Sequence, residues 1–577
     1  MRLLLPFILL PIVWTIQVPF QRPAASGNVL ITPKIDDYIT SLLAQWNSSG
    51  LAVAVVRQDI SGRPGTWDIE FGSYGTAQAD GSPVTPDTLF AIASNSKLFL
   101  SVSVGLLINN ASLAHQRGQK LGWDTKIKTV LPEWGLMDQD MQNGVTIQDM
   151  LSHRTGLPRH DFSGQAREGG VSEMISTLRF LQPSAEHREQ YQYNNLMYET
   201  LSHLPATLLN QSYESYIAEH VFSPLGMSSS TYSVAEAEER GALAHGFQWS
   251  MEDRLFGFNG TKTALFQKIW AGAGGVLTSA RDLSIWVATL LNKGRHPMTN
   301  QTVIPEDIIE HAALGVSVSK KKAQYPELSP QVYGCGQHRF SYRGHEIVEH
   351  GGSNPGFKTQ VSRLPNDNLA VVVLSNDENG NRIMEPVKYR IIDEILGLEP
   401  IDWAHGMCFS VDAVEKSIRE NQNVTPRPLP AVLPSVSFAQ MEGTFHHGAY
   451  GSIQPCFRIL GASSDTIPTY IVPFKGFFSS YLRLAHFSGN TFNASVIWSN
   501  NDARQAEGYG EDGDVIVGFD DRYVVEFVAG DSPAEDGFAF TGNMWGKEGD
   551  VRPLEGEGKD SAEVWFGRVY RDSTVTV

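Results

Sequence analysis

The stretch "FAIASNSKLFLSVSVGLL", residues 90–107, decides how this chain is read. Apolar residues dominate it after Lys97, which predicts a helix buried all round. Yet Ser94, Ser96 and Lys97 stand at its start. Positions three apart on a helix share a face, so Ser94 and Lys97 meet, while Ser96 and Lys97 diverge. Apolar surroundings disfavour an ammonium group. A near-neutral amine beside a hydroxyl can help remove its proton. Ser94 also falls in the first turn, where backbone N–H groups and the helix dipole favour a developing anion. Ser94 is therefore the candidate nucleophile and Ser96 its rival. The bland alternative is a surface turn with a solvated lysine. The apolar residues on both sides, 90–93 and 98–100, argue against it.

Two distant segments supply matching chemistry. "EQYQYNNLMYETLSHL" carries Tyr193, Asn194 and Asn195. "GHEIVEHGGSNPGF" carries His350, Gly351, Gly352 and Ser353 on a strand-like alternation. Taken singly, Tyr193 reads as a core aromatic, with Tyr191 a rival by spacing, and a lone histidine is more often simply packed. The conjunction is far more specific. S-x-x-K, then Y-x-N, then H-x-G resembles the class C β-lactamase-like serine hydrolases, in the branch that holds penicillin-binding proteins, esterases and D-aminopeptidases. "MLSHRTGLPRHD", "AGAGGVLTSARDLSIWV" and "LAVVVLSND" add to the likeness, which covers residues 32–398.

The resemblance implies a role for each residue. Ser94 attacks a carbonyl and carries the acyl group. Lys97 and Tyr193 hold and accept its proton, with either one as the base. Asn195 donates to the substrate, and His350, Gly352 and Ser353 line its binding strand. The backbone N–H groups of Ser94 and Ser353 form the oxyanion hole. A family lysine would stand where this chain has His350. That departure points away from anionic β-lactams and towards esters, peptides or acyl transfer. The implied substrate is a small ester, amide or peptide, with no metal and no organic cofactor. The alternatives are an acyltransferase using the same acyl-enzyme, or a binding protein that keeps the fold.

Composition bounds the rest. The chain has 577 residues, 41% hydrophobic, with a net charge of −18. So acidic a surface disfavours nucleic acid as a partner. "MRLLLPFILLPIVWTIQVPFQRPAASG" has one early arginine, a short apolar run and small residues after it, the pattern of a secretory leader over residues 1–26. No later run is long and apolar enough to span a bilayer, so no membrane attachment is expected once the leader is removed. Sequons at Asn47, Asn110, Asn210, Asn259, Asn300, Asn423 and Asn493 fit a secreted glycoprotein, although Pro426 weakens Asn423 and the preceding buried helix weakens Asn110. Three cysteines are too few for a disulfide scaffold. A Cys408–Cys456 bridge with Cys335 free, and three free thiols, stand as equal readings. The sequence leaves the oligomeric state open.

The periodicity predicts an α/β (α+β) catalytic domain over residues 27–398, an antiparallel sheet flanked by helices. Thr32 and Pro33 open a helix, "LAVAVVRQ" and "TWDIEFGSYG" are strands, and "FSYRGHEIVEHGG" reads as one strand-like segment. Residues 399–435, with "VTPRPLPAVLP", read as a linker. Residues 436–577 offer short alternating segments and glycine turns, hence an all-β barrel. "HEIVEH" imitates a zinc motif, but its histidines lie five apart on a strand-like pattern, so no metal site follows.

Overall fold

The computed structural model describes residues 29–59, 66–165, 167–249, 255–258, 270–406, 426–460, 467–476, 479–499, 516–546 and 554–569. The expected leader, Asn259, Cys408, Asn423 and part of the expected linker lie outside the described residues.

The first part runs α1 (Pro33–Gln45), β1 (Gly50–Gln58), β2 (Trp67–Gly75), α2 (Ser96–Ile108), α3 (Asn195–Ser202), α4 (Ala280–Leu291), β3 (Ser317–Lys320), β4 (Gln331–Tyr333), β5 (His338–Tyr342), β6 (His345–Asn354), β7 (Phe357–Leu364), β8 (Leu369–Ser375) and α5 (Met384–Leu396), with shorter pieces between. Thr32 Oγ1 accepts the Ile35 N–H at 3.3 Å, and Pro33 takes the first position of α1. The strands form an antiparallel sheet in the order β2-β1-β8-β7-β6-β5-β4-β3.

β1 shows why its sequence is apolar at every position. Leu51, Val53 and Val55 face a core shared with α1 and α5, including Ile39 and Ile391. Ala52, Ala54 and Val56 face the opposite core with Phe99 of α2 and Trp286 of α4. A strand covered on both faces loses the usual alternation with polar residues. Phe99 and Trp286 stack at 4.2 Å between ring centroids, fixing α2 against α4.

Two local expectations are corrected. The predicted helix does not begin at Ser94. Residues Ala93–Asn95 form a single 3₁₀ turn, and α2 starts at Ser96. The cause is Ala93, whose φ of +47° has no place in a right-handed helix. The segment "FSYRGHEIVEHGG" is also two strands. Arg343 (φ +51°) and Gly344 (φ +90°) turn the chain back, so that His345 pairs with Tyr342. Positive φ at both central residues is what a two-residue hairpin turn needs to match strand twist.

The second part contains β9 (Thr444–His447), β10 (Gly451–Ile453), β11 (Cys456–Leu460), β12 (Ile467–Gly476), β13 (Ser479–Ser488), β14 (Thr491–Ser499), β15 (Ile516–Val528), β16 (Gly537–Thr541) and β17 (Val564–Val569). Their order is β10-β9-β17-β16-β15-β14-β13-β12-β11, antiparallel throughout. Phe445, Tyr470, Phe492, Phe527, Phe538 and Phe566 fill its interior. Among the described residues the end strands β10 and β11 do not pair, so the sheet is a half-barrel rather than a closed barrel.

Cys335 is buried and accepts from Gln148 Nε2 at 3.2 Å, and burial pushes its thiol up to about 12. Cys456 is exposed, while its expected partner Cys408 lies outside the described residues. Asn47, Asn210 and Asn300 are exposed, and Asn110 and Asn493 are half-buried. Asn110 Oδ1 caps the next helix by accepting the Leu113 N–H at 2.9 Å. No single described helix is long and apolar enough to cross a membrane.

Candidate active site

Ser94 sits in the 3₁₀ turn ahead of α2, partly open to solvent. Its Oγ accepts from Tyr193 Oη at 2.7 Å and from Lys97 Nζ at 3.0 Å. The rival Ser96 is fully buried, and its Oγ accepts the Val276 N–H at 3.0 Å. It anchors the segment behind the helix instead of facing the lysine.

Lys97 is completely buried. Besides Ser94, Nζ donates to Asn195 Oδ1 at 2.7 Å and to the Ala273 carbonyl at 2.8 Å. It lies 4.8 Å from the ring centre of Tyr193 and 5.3 Å from that of Tyr198, where the ring faces favour a cation. The segment that carries the Ala273 carbonyl is itself held from α3. The Glu199 carboxyl accepts the Gly272 N–H at 3.1 Å, and burial drives this group towards its neutral form.

Tyr193 and Asn195 reach the serine because of what lies between them. Asn194 caps α3, accepting the Met197 N–H at 3.1 Å. Its amide donates to the carbonyls of Leu157 and Pro158, at 3.3 and 2.5 Å. The cap marks the switch from extended chain to helix, so Tyr193 and Asn195 converge on Ser94 and Lys97 from either side of it. The rival Tyr191 lies in a buried cluster with His153 and Tyr333, ring centres 5.7 and 5.5 Å away.

The glycine-flanked strand closes the other side. A Cβ on Gly352 would stand 2.2 Å from both the Ile92 carbonyl oxygen and Thr359 Oγ1, so only glycine fits against the turn that carries Ser94. Thr359 Oγ1 donates to Ile92 O at 3.0 Å and accepts from Asn95 Nδ2 at 2.9 Å. Those bonds fasten β6 and β7 to residues 92–95. Ser353, the next residue, is exposed, and its Oγ accepts from Lys358 Nζ at 2.9 Å. Lys358 in turn pairs with Glu378 at 2.6 Å.

His350 lies at the back of this space, its ring centre 6.2 Å from that of Tyr193. Nδ1 is 2.6 Å from the Gly351 carbonyl and therefore carries the proton, and Nε2 accepts from Tyr333 Oη at 2.9 Å. Burial first, then His338 and Lys97, hold its pKa well below the usual value. The ring is neutral, and both nitrogens have protein partners. His345, at the other end of the apparent zinc motif, pairs with Asp367 at 3.0 Å. Among the described residues no group of three or more histidine, cysteine or acidic side chains is placed to hold a metal ion.

Sequence reasoning gave no role to Arg159, Asp161 or His153. Asp161 Oδ1 accepts from Asn195 Nδ2 at 3.0 Å. Arg159 pairs with Asp161 at 2.7 Å and lies 5.0 Å over the Tyr193 ring. His153 is buried, its ring centre 4.3 Å from that of Tyr193, with Nδ1 accepting the Asn194 N–H at 3.1 Å. All three belong to "MLSHRTGLPRHD", where the density of polar residues in an otherwise apolar run was the available clue.

The sequence profile of the family described as Beta-lactamase matches residues 35–394. Unguisins hydrolase ungD' of Aspergillus campestris is 28% identical over 433 residues, covering 72% of this chain and 76% of its own length. Unguisins hydrolase ungD of Aspergillus violaceofuscus is 27% identical over 504 residues, covering 81% and 83%. The octameric penicillin-binding protein homologue from Pyrococcus abyssi superposes with a TM-score of 0.53 at 18% identity, over 88% of this chain and 98% of that one, a likeness of fold. The profile spans every strand of the first sheet and all three motifs that surround the Ser94 hydroxyl, and the chain belongs to the beta-lactamase family of serine hydrolases.

Proposed function

We propose that the protein cleaves an ester or amide through an acyl-enzyme on Ser94. The observation that carries this reading is the Ser94 hydroxyl within 2.7 Å of the Tyr193 phenol and 3.0 Å of the Lys97 amine. Ser94 Oγ attacks the carbonyl carbon as its proton passes into the Lys97–Tyr193 pair. That proton then goes to the leaving alcohol or amine as the bond breaks. Water repeats the sequence to release the acid and restore the serine. Positioned proton transfer of this kind is worth about 10²–10⁴-fold in rate. The backbone N–H groups of Ser94 and Ser353 receive the oxyanion, each worth on the order of 10²–10³-fold. Asn195 keeps Lys97 in place.

Charge supports the choice of substrate class. His350 is neutral, Lys358 is paired with Glu378, and Arg159 is paired with Asp161. With the strand histidine neutral and both of those outer cations paired, they offer a substrate carboxylate little, so uncharged esters and amides are favoured over penicillins. The two unguisins hydrolases make unguisins the first natural compounds to assay. Secretion is part of the proposal, supported by the leader-like start and by exposed sequons at Asn47, Asn210 and Asn300.

A labelled fluorophosphonate tests the reading. The expected result is covalent mass on Ser94, absent in Ser94→Ala, together with turnover of short-chain activated esters and negligible penicillin hydrolysis. A wild-type protein that no serine-reactive probe labels overturns it. A competing alcohol in the assay separates hydrolysis from acyl transfer by the appearance of a new ester.

A further inference from the structure

We infer that the C-terminal half-barrel is a working part of the site: it holds residues 158–165 and Arg167 so that Asp161 fixes the Asn195 amide with its oxygen towards Lys97. The inference rests on the reading of Ser94 as nucleophile.

A continuous set of contacts runs from the half-barrel to that serine. The His160 N–H donates to the Trp545 carbonyl at 2.7 Å. The His160 ring donates from Nε2 to the Gln182 carbonyl at 2.9 Å, so Nδ1 accepts from Tyr450 Oη, 2.7 Å away. Gln165 Nε2 donates to the Tyr450 carbonyl at 2.7 Å, and Arg167 donates to the Ala449 carbonyl. The Phe162 ring lies 6.1 Å from both Phe474 and Tyr523. His160 has φ of +48°, a conformation a non-glycine residue adopts only when its surroundings impose it. Here the second domain supplies much of that constraint.

The neighbours of His160 turn the other way. The stem of Arg159 lies on Gly546, where a Cβ would come within 2.9 Å of Arg159 Cβ, and its guanidinium covers the Tyr193 ring. Asp161 receives the Asn195 amide N–H. An ionised carboxylate only accepts, so it selects one of the two amide orientations. That orientation presents Oδ1 to Lys97 Nζ. Reversed, the amide would offer N–H groups to an amine that also donates. Lys97 would lose an acceptor and its hold on Ser94 would loosen. Displacements of about 1 Å in such an arrangement cost on the order of 10²-fold.

The test uses the full-length chain, an activated short-chain ester and the fluorophosphonate labelling rate, with melting temperatures measured alongside. Asp161→Ala is expected to lower kcat on the order of 10–100-fold. Asp161→Asn keeps an acceptor oxygen for Asn195 and is expected to stay within about threefold of wild type. Both variants lose the pair with Arg159, so a purely structural ion pair would harm them equally. Tyr450→Phe is expected to lower kcat about three- to tenfold with KM unchanged, and to add nothing in an Asp161→Ala background. Gln165→Ala, which releases the same segment, repeats the measurement should Tyr450→Phe melt early. Equal losses in Asp161→Ala and Asp161→Asn overturn the inference. So does a Tyr450→Phe or Gln165→Ala effect that is absent, or that multiplies in full with Asp161→Ala. Wild-type protein that is not labelled on Ser94 overturns the nucleophile instead. Labelling of wild type and all variants at one rate overturns the roles of Asp161 and the half-barrel and leaves the nucleophile standing.

Discussion

In the proposed chemistry Lys97 holds the central place, and its surroundings leave little freedom. It is wholly buried, with three oxygen partners within 3.0 Å. A guanidinium is larger and planar and cannot present one nitrogen to three separate oxygens. Lys97→Arg is therefore expected to be no better than Lys97→Met, each lowering kcat/KM by about 10²–10⁴-fold with the ester substrate. An arginine variant that keeps more than a tenth of wild-type activity would show that charge alone suffices there. The Ser94–Lys97 pair was legible in the sequence because a three-residue spacing is a local fact. Asp161 was not. Its carboxylate meets an amide 34 residues further on, and nothing within its own segment says so. His350 was legible as a strand residue flanked by glycine. Its neutrality was not, because the burial comes from packing, and His338 and Lys97 come from other elements, β5 and α2.

The element that sets the width of the site is the β6–β7 pair pressed against residues 92–95. Contact at Gly352 is with a backbone carbonyl and a threonine hydroxyl already bonded to that carbonyl. Neither can retreat without moving the turn that carries Ser94. Gly352→Ala should thus destabilise the protein by about 1–3 kcal/mol and lower kcat by roughly 10²-fold. Gly351→Ala is the control. Its added carbon would press on the end of the flexible Gln360 side chain, at 3.1 Å, and make an ordinary contact with the Thr359 carbonyl at 3.9 Å, so stability should change by less than about 1 kcal/mol. Denaturant midpoints and initial rates on both variants check this, and equal damage from the two would remove the special place given to Gly352. The helices and strands around this junction followed from hydrophobic period alone. The 3₁₀ turn and the Arg343–Gly344 reversal did not, because each depends on a non-glycine residue held at positive φ by tertiary contacts, which no local preference encodes.

At the scale of the whole molecule, the joint between the two sheets is built on a buried histidine. His160 is 1% exposed, and burial lowers its pKa to about 3. His447, which accepts the N–H groups of Ala449 and Tyr450 and so shapes the turn that meets His160, is lowered to about 4, again chiefly by burial. An unfolded histidine titrates near 6.5. Between there and the folded value the unfolded chain binds more protons than the native one, so stability is full above about pH 6.5 and falls as the pH drops. One fully coupled histidine changes stability by about 1.4 kcal/mol per pH unit across that window. Melting followed from pH 7 to pH 4 should show this decline, and His160→Gln, less stable at pH 7, should show a slope shallower by about 1 kcal/mol per unit. Amide exchange at residues 159–165 should rise ahead of the α2–α4 core, since the proton enters at the joint. Ester turnover should fall with it, reversibly, before global unfolding. Parallel pH curves for wild type and His160→Gln would mean that the joint does not carry the acid sensitivity, and would leave the buried histidines of the first part, His153, His338 and His350, all lowered chiefly by burial, as the groups responsible.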